Sequence, residues 1–413
     1  MLSIDFIREN KQKVIDAAKN KEREVDIDKI LTFDSKRLEL IRKIQLIREE
    51  RNTISKKDIT DEIKKRGKEI KEELKRQESE LKNIEKELNN LISHVPNIPL
   101  SEVPLGKENK EIKKWGDIPQ FDFKPKSHIE LGKMLDIIDL KRGSKVSGFR
   151  GYFLKNEAAS LHIALLFYAF QKLVKKGYTP FIAPSIVKSF SLFGSGQFPW
   201  GKQEVYSLSE DTYLAGTSES SMMAYHANEI LDEKELPKKY VAFSPCFRKE
   251  AGAYGKDTKG IYRVHEFLKV EQIILAKNSL EQAKVLFDEL QNNCEEILQE
   301  LELPYKVMLM SMQDMGEPQI MKYDTETWMP SRNEFGETTS NSIMGDFQTR
   351  RLKIKYRAKD KSTKYCFSLN NTAIASPRIL IPLLENNQQK DGSINVPKVL
   401  QNLVGFNKIL PKQ

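Results

Sequence analysis

Between residues 26 and 91 the apolar positions recur with a helical spacing. Ile70, Leu74, Gln77, Leu81, Ile84, Leu88 and Leu91 follow one another at alternating steps of four and three, which keeps one seam of a helix turned toward a partner helix. An earlier stretch carries Ile27, Leu31, Leu38, Ile41 and Ile44, while Leu40 and Ile47 offer a competing stripe, so its register stays ambiguous. Residues 52–60 supply capping and turn side chains, Ser55, Asp58 and Thr60, without an apolar stripe. The pattern predicts an antiparallel coiled-coil hairpin whose helices, about 30 residues each, reach on the order of 45 Å.

The prolines from Pro96 to Pro104 end the second helix, because each removes a backbone donor and restricts the residue before it. They set a boundary that gives an N-terminal domain over 1–105, with the arm at about 26–91, and a second domain over 106–413. Beyond the boundary, short apolar runs at 240–243, 271–275 and 364–369 alternate with helical stretches at 158–175 and 280–301. The fold class expected is α+β, a helical hairpin followed by a mixed domain.

Composition narrows the function classes. The 413 residues are 39% hydrophobic and 31% charged, which suits two or three globular domains and excludes a disulfide scaffold or wholesale disorder. The longest strongly apolar run, 163–170, falls far short of the roughly 18 residues that span a bilayer. Asp5, Arg8 and Glu9 break any apolar leader, so the chain reads as cytoplasmic with no membrane partner. Cys246, Cys294 and Cys366 lie far apart and read as buried reduced thiols; no histidine falls at metal-ligand spacing, so no structural zinc is expected. The net charge of +9 suits a polyanionic partner and plain solubility equally well. Within residues 36–87 the arm carries 17 basic and 13 acidic side chains, so it is solvated and mildly basic.

The richest chemistry lies between Phe247 and Glu271. The order is strand, loop, strand, with Arg248 at the end of the first strand and aromatic and acidic groups on the second. An arginine there can grip a phosphate or carboxylate through two parallel hydrogen bonds. Gly252, Gly255 and Gly260, interleaved with Lys256, Lys259 and Arg263, let a phosphodiester backbone approach without Cβ obstruction.

This stretch resembles motif 2 of the class II aminoacyl-tRNA synthetases, in the form found in seryl-tRNA synthetases. Other segments agree in order. Residues 177–184, ending at Pro184, and 193–199 resemble motif 1, which implies a homodimer interface around Pro184. Thr217, Ser218 and Glu219 resemble the family's serine-binding segment, Glu337 to Ser342 with 346–351 its ATP and magnesium segment, and 369–378 with Leu384 to Asn386 its motif 3. The hairpin resembles the tRNA-binding arm, so the likeness spans the whole chain.

The resemblance implies an α+β class II catalytic domain built on an antiparallel sheet. It implies serine activation by ATP and Mg²⁺, followed by transfer to the 3′ end of tRNA(Ser), and leaves open whether tRNA(Sec) is a second acceptor. Arg248, Glu337 and Arg378 are the expected catalytic residues. ATP is expected at Arg248, Lys249, Glu250, Val264, Phe267, Glu337, Thr338, Thr339, Ser340 and Arg378, with Mg²⁺ on Glu337 and Ser340. L-Serine is expected at Thr217, Ser218, Glu219, Arg248, Glu271 and Thr372; which oxygen meets its ammonium and which its hydroxyl is left open. Three positions depart from the commonest pattern. Glu266 replaces a usual glutamine and adds charge near the adenine site, Ser218 replaces an alanine, and Asn371 replaces a glycine, a mild change because asparagine tolerates left-handed backbone. A ligase acting on a carrier protein would lack the hairpin. A catalytically dead paralogue serving as an RNA-binding module would be expected to lose Arg248, Glu337 or Arg378, and all three are present.

Overall fold

The computed structural model describes residues 1–56, 58, 60–251 and 259–411. The chain divides into two compact units, Met1–Ile98 and Pro99–Gln413.

The first unit contains α1 (Ile4–Glu9), α2 (Lys11–Asn20), α3 (Ile27–Ile54) and α4 (Asp61–Ser93). Asp26 starts α3 by accepting from the Lys29 amide at 2.9 Å, and Thr60 starts α4 by accepting from Ile63 at 3.3 Å. Ile44, Ile70 and Leu74 form the buried seam between the two long helices, with Ile47, Ile54 and Leu81 packed on it. Neither stripe is buried whole: Ile27 and Ile44 of the first and Leu40 of the competing one are buried, while Leu31, Leu38, Ile41 and Ile47 are half-buried. Ion pairs of Arg48 with Glu78 and of Arg66 with Glu50, each at 2.8 Å, tie the two helices together across their exposed flanks. At the root, Ile27, Ile30, Leu88 and Ile92 join Ile7, Val14 and Val95 in a separate core.

The second unit is organised by an eight-stranded sheet: β1 (Lys110–Trp115), β2 (Thr179–Ile182), β3 (Lys238–Phe247), β4 (Glu266–Ala276), β5 (Tyr305–Leu309), β6 (Met321–Met329), β7 (Glu334–Gly345) and β8 (Phe367–Ser376). Its order is β1-β5-β6-β7-β8-β4-β3-β2, antiparallel throughout except for the parallel edge pair β2–β3. Helices α5 (Asn156–Lys175) and α6 (Leu280–Glu300) pack on the sheet and share one core with it.

Against α6 the sheet presents amides rather than a purely apolar face. Asn371 donates to the Leu290 carbonyl at 2.7 Å and Asn341 to the Phe287 carbonyl at 2.9 Å, so the helix backbone itself accepts from the strands. Asn371 thus serves as a strand residue with a buried amide, and its φ is not positive; left-handed tolerance plays no part.

Two bulges aim side chains at the site. On β7 the pairing shifts between Thr339 and Glu337, leaving Thr338 as the extra residue. Glu337 and Ser340, three apart and on opposite faces of a regular strand, both line one cavity as a result. On β8 a second shift at Ala373 sets Thr372 opposite Glu271 of β4.

Candidate active site

A cavity of about 280 Å³ opens on the face of the sheet away from α6 and is lined by Arg248, Glu250, Val264, Phe267, Glu337, Thr338, Thr339, Ser340, Thr372 and Arg378. The two arginines, remote in sequence, face this one space. Arg248 follows the end of β3. Its backbone is bracketed by His265, whose carbonyl accepts its amide at 2.9 Å, and its Nε donates to the Gly216 carbonyl at 3.2 Å. The guanidinium lies 5.3 Å from the centre of the Phe267 ring. Arg378, just beyond β8, donates to the carbonyls of Tyr262 at 3.1 Å and Glu337 at 3.3 Å, and lies 4.5 Å from the Tyr262 ring centre. Gly260, where the chain re-enters the site, has φ +73 and sits against His128, so a Cβ there would come within 2.0 Å of the imidazole.

Electrostatics favour an anionic guest with a cation. Burial alone would raise the Glu337 carboxyl, but Arg378, Lys322 and Arg248 outweigh it and hold the group below the usual carboxylate range. Asp324 behaves oppositely. Burial first and then Glu337 push it up to about 6, against Lys322 at 2.8 Å and a hydrogen bond from Ser340. The Oδ1 atom of Asp324 is buried with no hydrogen-bond partner among the described residues. Glu337 and Ser340, hard oxygen donors on one strand face beside this orphaned oxygen, fit a small divalent cation carried on phosphates. Among the described residues no group of three or more His, Cys, Asp or Glu side chains is placed to hold a metal, and all three cysteines are buried and free.

Of the residues expected around serine, Arg248 and Thr372 line the cavity, while Thr217, Glu219 and Glu271 do not; Thr217 and Glu271 are joined to it through contacts with Lys269 and Thr372. Lys269 Nζ donates to Thr217 Oγ1 at 2.7 Å and meets Glu271 Oε2 at 2.6 Å, and Thr372 Oγ1 donates to the same Glu271 oxygen at 3.0 Å. Behind them Gln348 donates to Glu219 Oε1 at 2.6 Å and to the Ser195 carbonyl at 2.8 Å. Burial first and the nearby Glu271 second push the Glu219 carboxyl up to about 7.

Several expected residues lie elsewhere. The ammonium of Lys249 rests 5.6 Å from the Tyr206 ring centre and does not line the cavity. Ser218 is buried behind Thr217, its hydroxyl without a partner among the described residues. Glu266 is exposed and absent from the cavity wall, because strand alternation turns it away from Phe267; its carbonyl accepts from Tyr152 at 3.1 Å. Gly252, Gly255 and Lys256 lie outside the described residues. Residues 193–199 are latched to the helix Phe347–Leu352, where Arg351 donates to the carbonyls of Phe193 and Phe198 at 2.7 Å each.

Sequence reasoning passed over Lys269, Lys322, Tyr262 and Gln348. The signal for Lys269 was present, since a period of two starting at Phe267 and ending at Glu271 passes through it.

A sheet of this order, with one arginine from the β3–β4 hairpin and another following β8 closing on a single cavity, defines the catalytic domain of a class II aminoacyl-tRNA synthetase. The model of the tRNA synthetase class II core domain (G, H, P, S and T) matches residues 204–387, and that of the seryl-tRNA synthetase N-terminal domain matches residues 1–99. A serine–tRNA ligase of Borreliella afzelii is 42% identical, with 99% of each chain covered, and one of Deinococcus radiodurans is 41% identical with the same coverage. Among solved structures, seryl-tRNA synthetase from Pyrococcus horikoshii complexed with ATP superposes with a TM-score of 0.93 at 37% identity over the full length of both chains. A cytoplasmic serine–tRNA ligase from Naegleria fowleri in complex with AMP gives a TM-score of 0.90 at 33% identity, covering 100% of this chain and 99% of that one. The chain belongs to the seryl-tRNA synthetase family, which are class II serine–tRNA ligases. No helix among the described residues is long and apolar enough to cross a membrane.

Proposed function

We propose that the protein activates L-serine with ATP and Mg²⁺ to seryl-adenylate and transfers the seryl group to the 3′ end of tRNA(Ser), with tRNA(Sec) served by the same arm and site. The observation that carries this reading is the convergence of Arg248 and Arg378 on a cavity whose wall also includes Lys269 and Thr372, the two residues that contact Thr217 and Glu271.

A serine carboxylate oxygen attacks the α-phosphorus, the bond from that phosphorus to the bridging oxygen breaks, and pyrophosphate departs. No nucleophilic side chain takes part, so the protein positions the reactants and neutralises developing charge. Arg248 holds the α-phosphate and the serine carboxylate together, and Arg378 holds the γ-phosphate. Glu250 reads the adenine amino group, and its orientation is fixed by Arg263 at 3.2 Å. Phe267 stacks on the base beside the Val264 backbone, and the Thr338 and Thr339 backbone flanks the phosphates. Glu337 and Ser340 hold Mg²⁺, which when bound neutralises phosphate charge and orients the leaving group. In the second step a terminal ribose hydroxyl of the tRNA attacks the activated carbonyl and AMP leaves.

Residues 1–105 act as the tRNA-binding domain, whose arm reads shape and backbone rather than bases, and 106–413 act as the catalytic domain. The working form is a cytoplasmic homodimer. Its support is the apolar exposure of Ile163, Phe167, Ile182 and Ile186, the first two on α5 and the third on β2, at 65%, 51%, 76% and 58%. Serine-dependent exchange of pyrophosphate into ATP by purified protein, followed by charging of tRNA(Ser), tests the reading. Exchange driven by another amino acid and not by serine overturns it.

A further inference from the structure

Arg378 is aimed by one tyrosine. Its Nε donates to the Tyr262 carbonyl at 3.1 Å and its Nη1 to the Glu337 carbonyl at 3.3 Å, and that second carbonyl also accepts from the Tyr262 hydroxyl at 3.1 Å. Nη2 makes no hydrogen bond among the described residues, so it is the edge of the guanidinium fork that a guest in the cavity meets. Tyr262 is in turn placed by the two residues before it. The Ile261 amide donates to His128 Nε2 at 3.4 Å, and a Cβ on Gly260 would come within 2.0 Å of the same nitrogen. Residues 260 and 261 therefore seat together on one edge of the imidazole. The ring is pinned from its other side. Glu385 Oε1 accepts from the His128 amide at 2.8 Å and from Nδ1 at 3.0 Å, while Oε2 accepts from the Ser331 amide at 3.0 Å. A carboxylate only accepts and an amide N–H only donates, so Nδ1 carries the proton and Nε2 offers its lone pair. Next to this contact Gln388 clasps Lys126, accepting from its amide at 2.7 Å and donating to its carbonyl at 3.0 Å. Glu385 lies on the helix Leu380–Asn386, the element that directly follows Arg378.

We propose that His128, held by Glu385, is a positioning residue for the phosphate end of the nucleotide: it seats residues 260–262 so that Tyr262 directs the Arg378 guanidinium into the cavity. The inference rests on the reading of Arg378 as the γ-phosphate residue and adds to it what keeps that residue on target. Neither His128 nor Glu385 lines the cavity, whereas Ile261, Tyr262 and Arg378 do, so the effect passes through the backbone of 260–262. Burial argues for direction over mere filling. His128 is 5% exposed and Glu385 fully buried, and a well-packed apolar pair would fill that volume without taking a carboxylate out of water. What the polar pair adds is a fixed orientation of the ring, and a displaced guanidinium is costly because charge neutralisation depends on placement.

The test divides the imidazole between two variants of the full-length protein. In His128→Asn the side-chain amide stands near Nδ1, keeping a donor for Glu385 but stopping short of Ile261. In His128→Gln the side-chain oxygen reaches the position of Nε2 and accepts from the Ile261 amide. Serine-dependent pyrophosphate exchange gives kcat/KM for ATP and KM for serine, and inhibition by a sulfamoyl analogue of seryl-adenylate, which has no β- or γ-phosphate, gives the affinity of the rest of the site. The expected result for His128→Asn is an ATP kcat/KM lowered about 10-fold, with serine KM and analogue affinity held, and recovery of most of the loss in His128→Gln. Tyr262→Phe, which removes the hydroxyl from the Glu337 carbonyl, should show a smaller loss with the same selectivity for ATP over the analogue. Where His128→Asn does not fold, Tyr262→Phe and Gly260→Ala carry the same comparison. Equal losses for ATP and the analogue, an unchanged ATP kcat/KM in His128→Asn, or His128→Gln no better than His128→Asn overturns the proposal. An ATP kcat/KM unchanged in Arg378→Met refutes instead the γ-phosphate reading on which the proposal stands.

Discussion

The side-chain amide of Gln348 spends both of its hydrogens, one on Glu219 Oε1 at 2.6 Å and one on the Ser195 carbonyl at 2.8 Å, while its oxygen accepts from Ser368 at 2.7 Å. Every polar atom of the amide is engaged, so the Glu219 carboxylate is held from behind in one orientation. That carboxylate is the titratable group most exposed to a change near neutrality, because burial and Glu271 push it up to about 7. The folded value stands above the ordinary 4.5, so ionisation costs stability as pH rises from 4.5 through 7. Binding of an ammonium substrate runs the other way and needs the ionised form. The serine KM should therefore fall as pH rises from 6 to 8, and Gln348→Leu should shift that fall to higher pH. A serine KM independent of pH over this range would contradict the assignment.

Thr372 lies opposite Glu271 across the β4–β8 pairing and lines the cavity. Thr372→Val keeps the shape and removes the oxygen. Loss of a hydrogen bond in this charged setting costs about 1.5 to 3 kcal/mol, a fall in serine kcat/KM of roughly 10- to 150-fold. The ATP KM should stay near the wild-type value, and discrimination against alanine should shrink. Steady-state exchange kinetics with both amino acids measure this directly.

Acid stability should depend on Glu385. This buried carboxylate accepts from the His128 amide at 2.8 Å, from His128 Nδ1 at 3.0 Å and from the Ser331 amide at 3.0 Å. Burial alone would raise it, but these bonds hold it below the usual carboxylate range. A depressed carboxyl contributes stability that is present above its ordinary value of 4.5 and lost as pH falls through its folded value. The urea midpoint should therefore drop on acidification below about pH 4.5, and Glu385→Gln should lower the midpoint at pH 7 and flatten its dependence on pH. His128 also receives the Ile261 amide at 3.4 Å, so the variant should weaken ATP binding as well.

The arm can be tested without disturbing its root. Ile27, Ile30, Leu88 and Ile92 belong to the core at the base of the hairpin, whereas Ile44, Ile70 and Leu74 form a separate cluster farther out. Removing residues 40–81 and joining the ends by a short turn should leave serine-dependent exchange intact and abolish charging of tRNA(Ser). Charging at the wild-type rate would show that the arm is not the tRNA contact.

The long helices and the strands flanking Arg248 were legible because each obeys one local rule, a spacing of four and three or an apolar run bounded by turn residues. The register of α3 was not. Leu38, Ile41, Leu40 and Ile47 offer two stripes of similar hydrophobicity, and the packing against Ile70 and Leu74 on α4 draws on both. At the site the motifs named candidate residues, but their geometry could not be read from spacing. Glu337 and Ser340 share a face through a bulge that no periodicity announces, and Lys249 beside Arg248 turns instead toward Tyr206. Gln348 and Lys269 act through other side chains, and such roles exist only once the chain has brought distant segments together.

The most direct measurement is a crystal structure of the protein with a non-hydrolysable sulfamoyl analogue of seryl-adenylate. The account predicts the base on Phe267, the sulfamoyl group at Arg248, and the seryl end among Thr217, Glu271 and Thr372. An analogue bound with its amino-acid end away from Thr217, Glu271 and Thr372, or in a different cavity from Arg248 and Arg378, would contradict it.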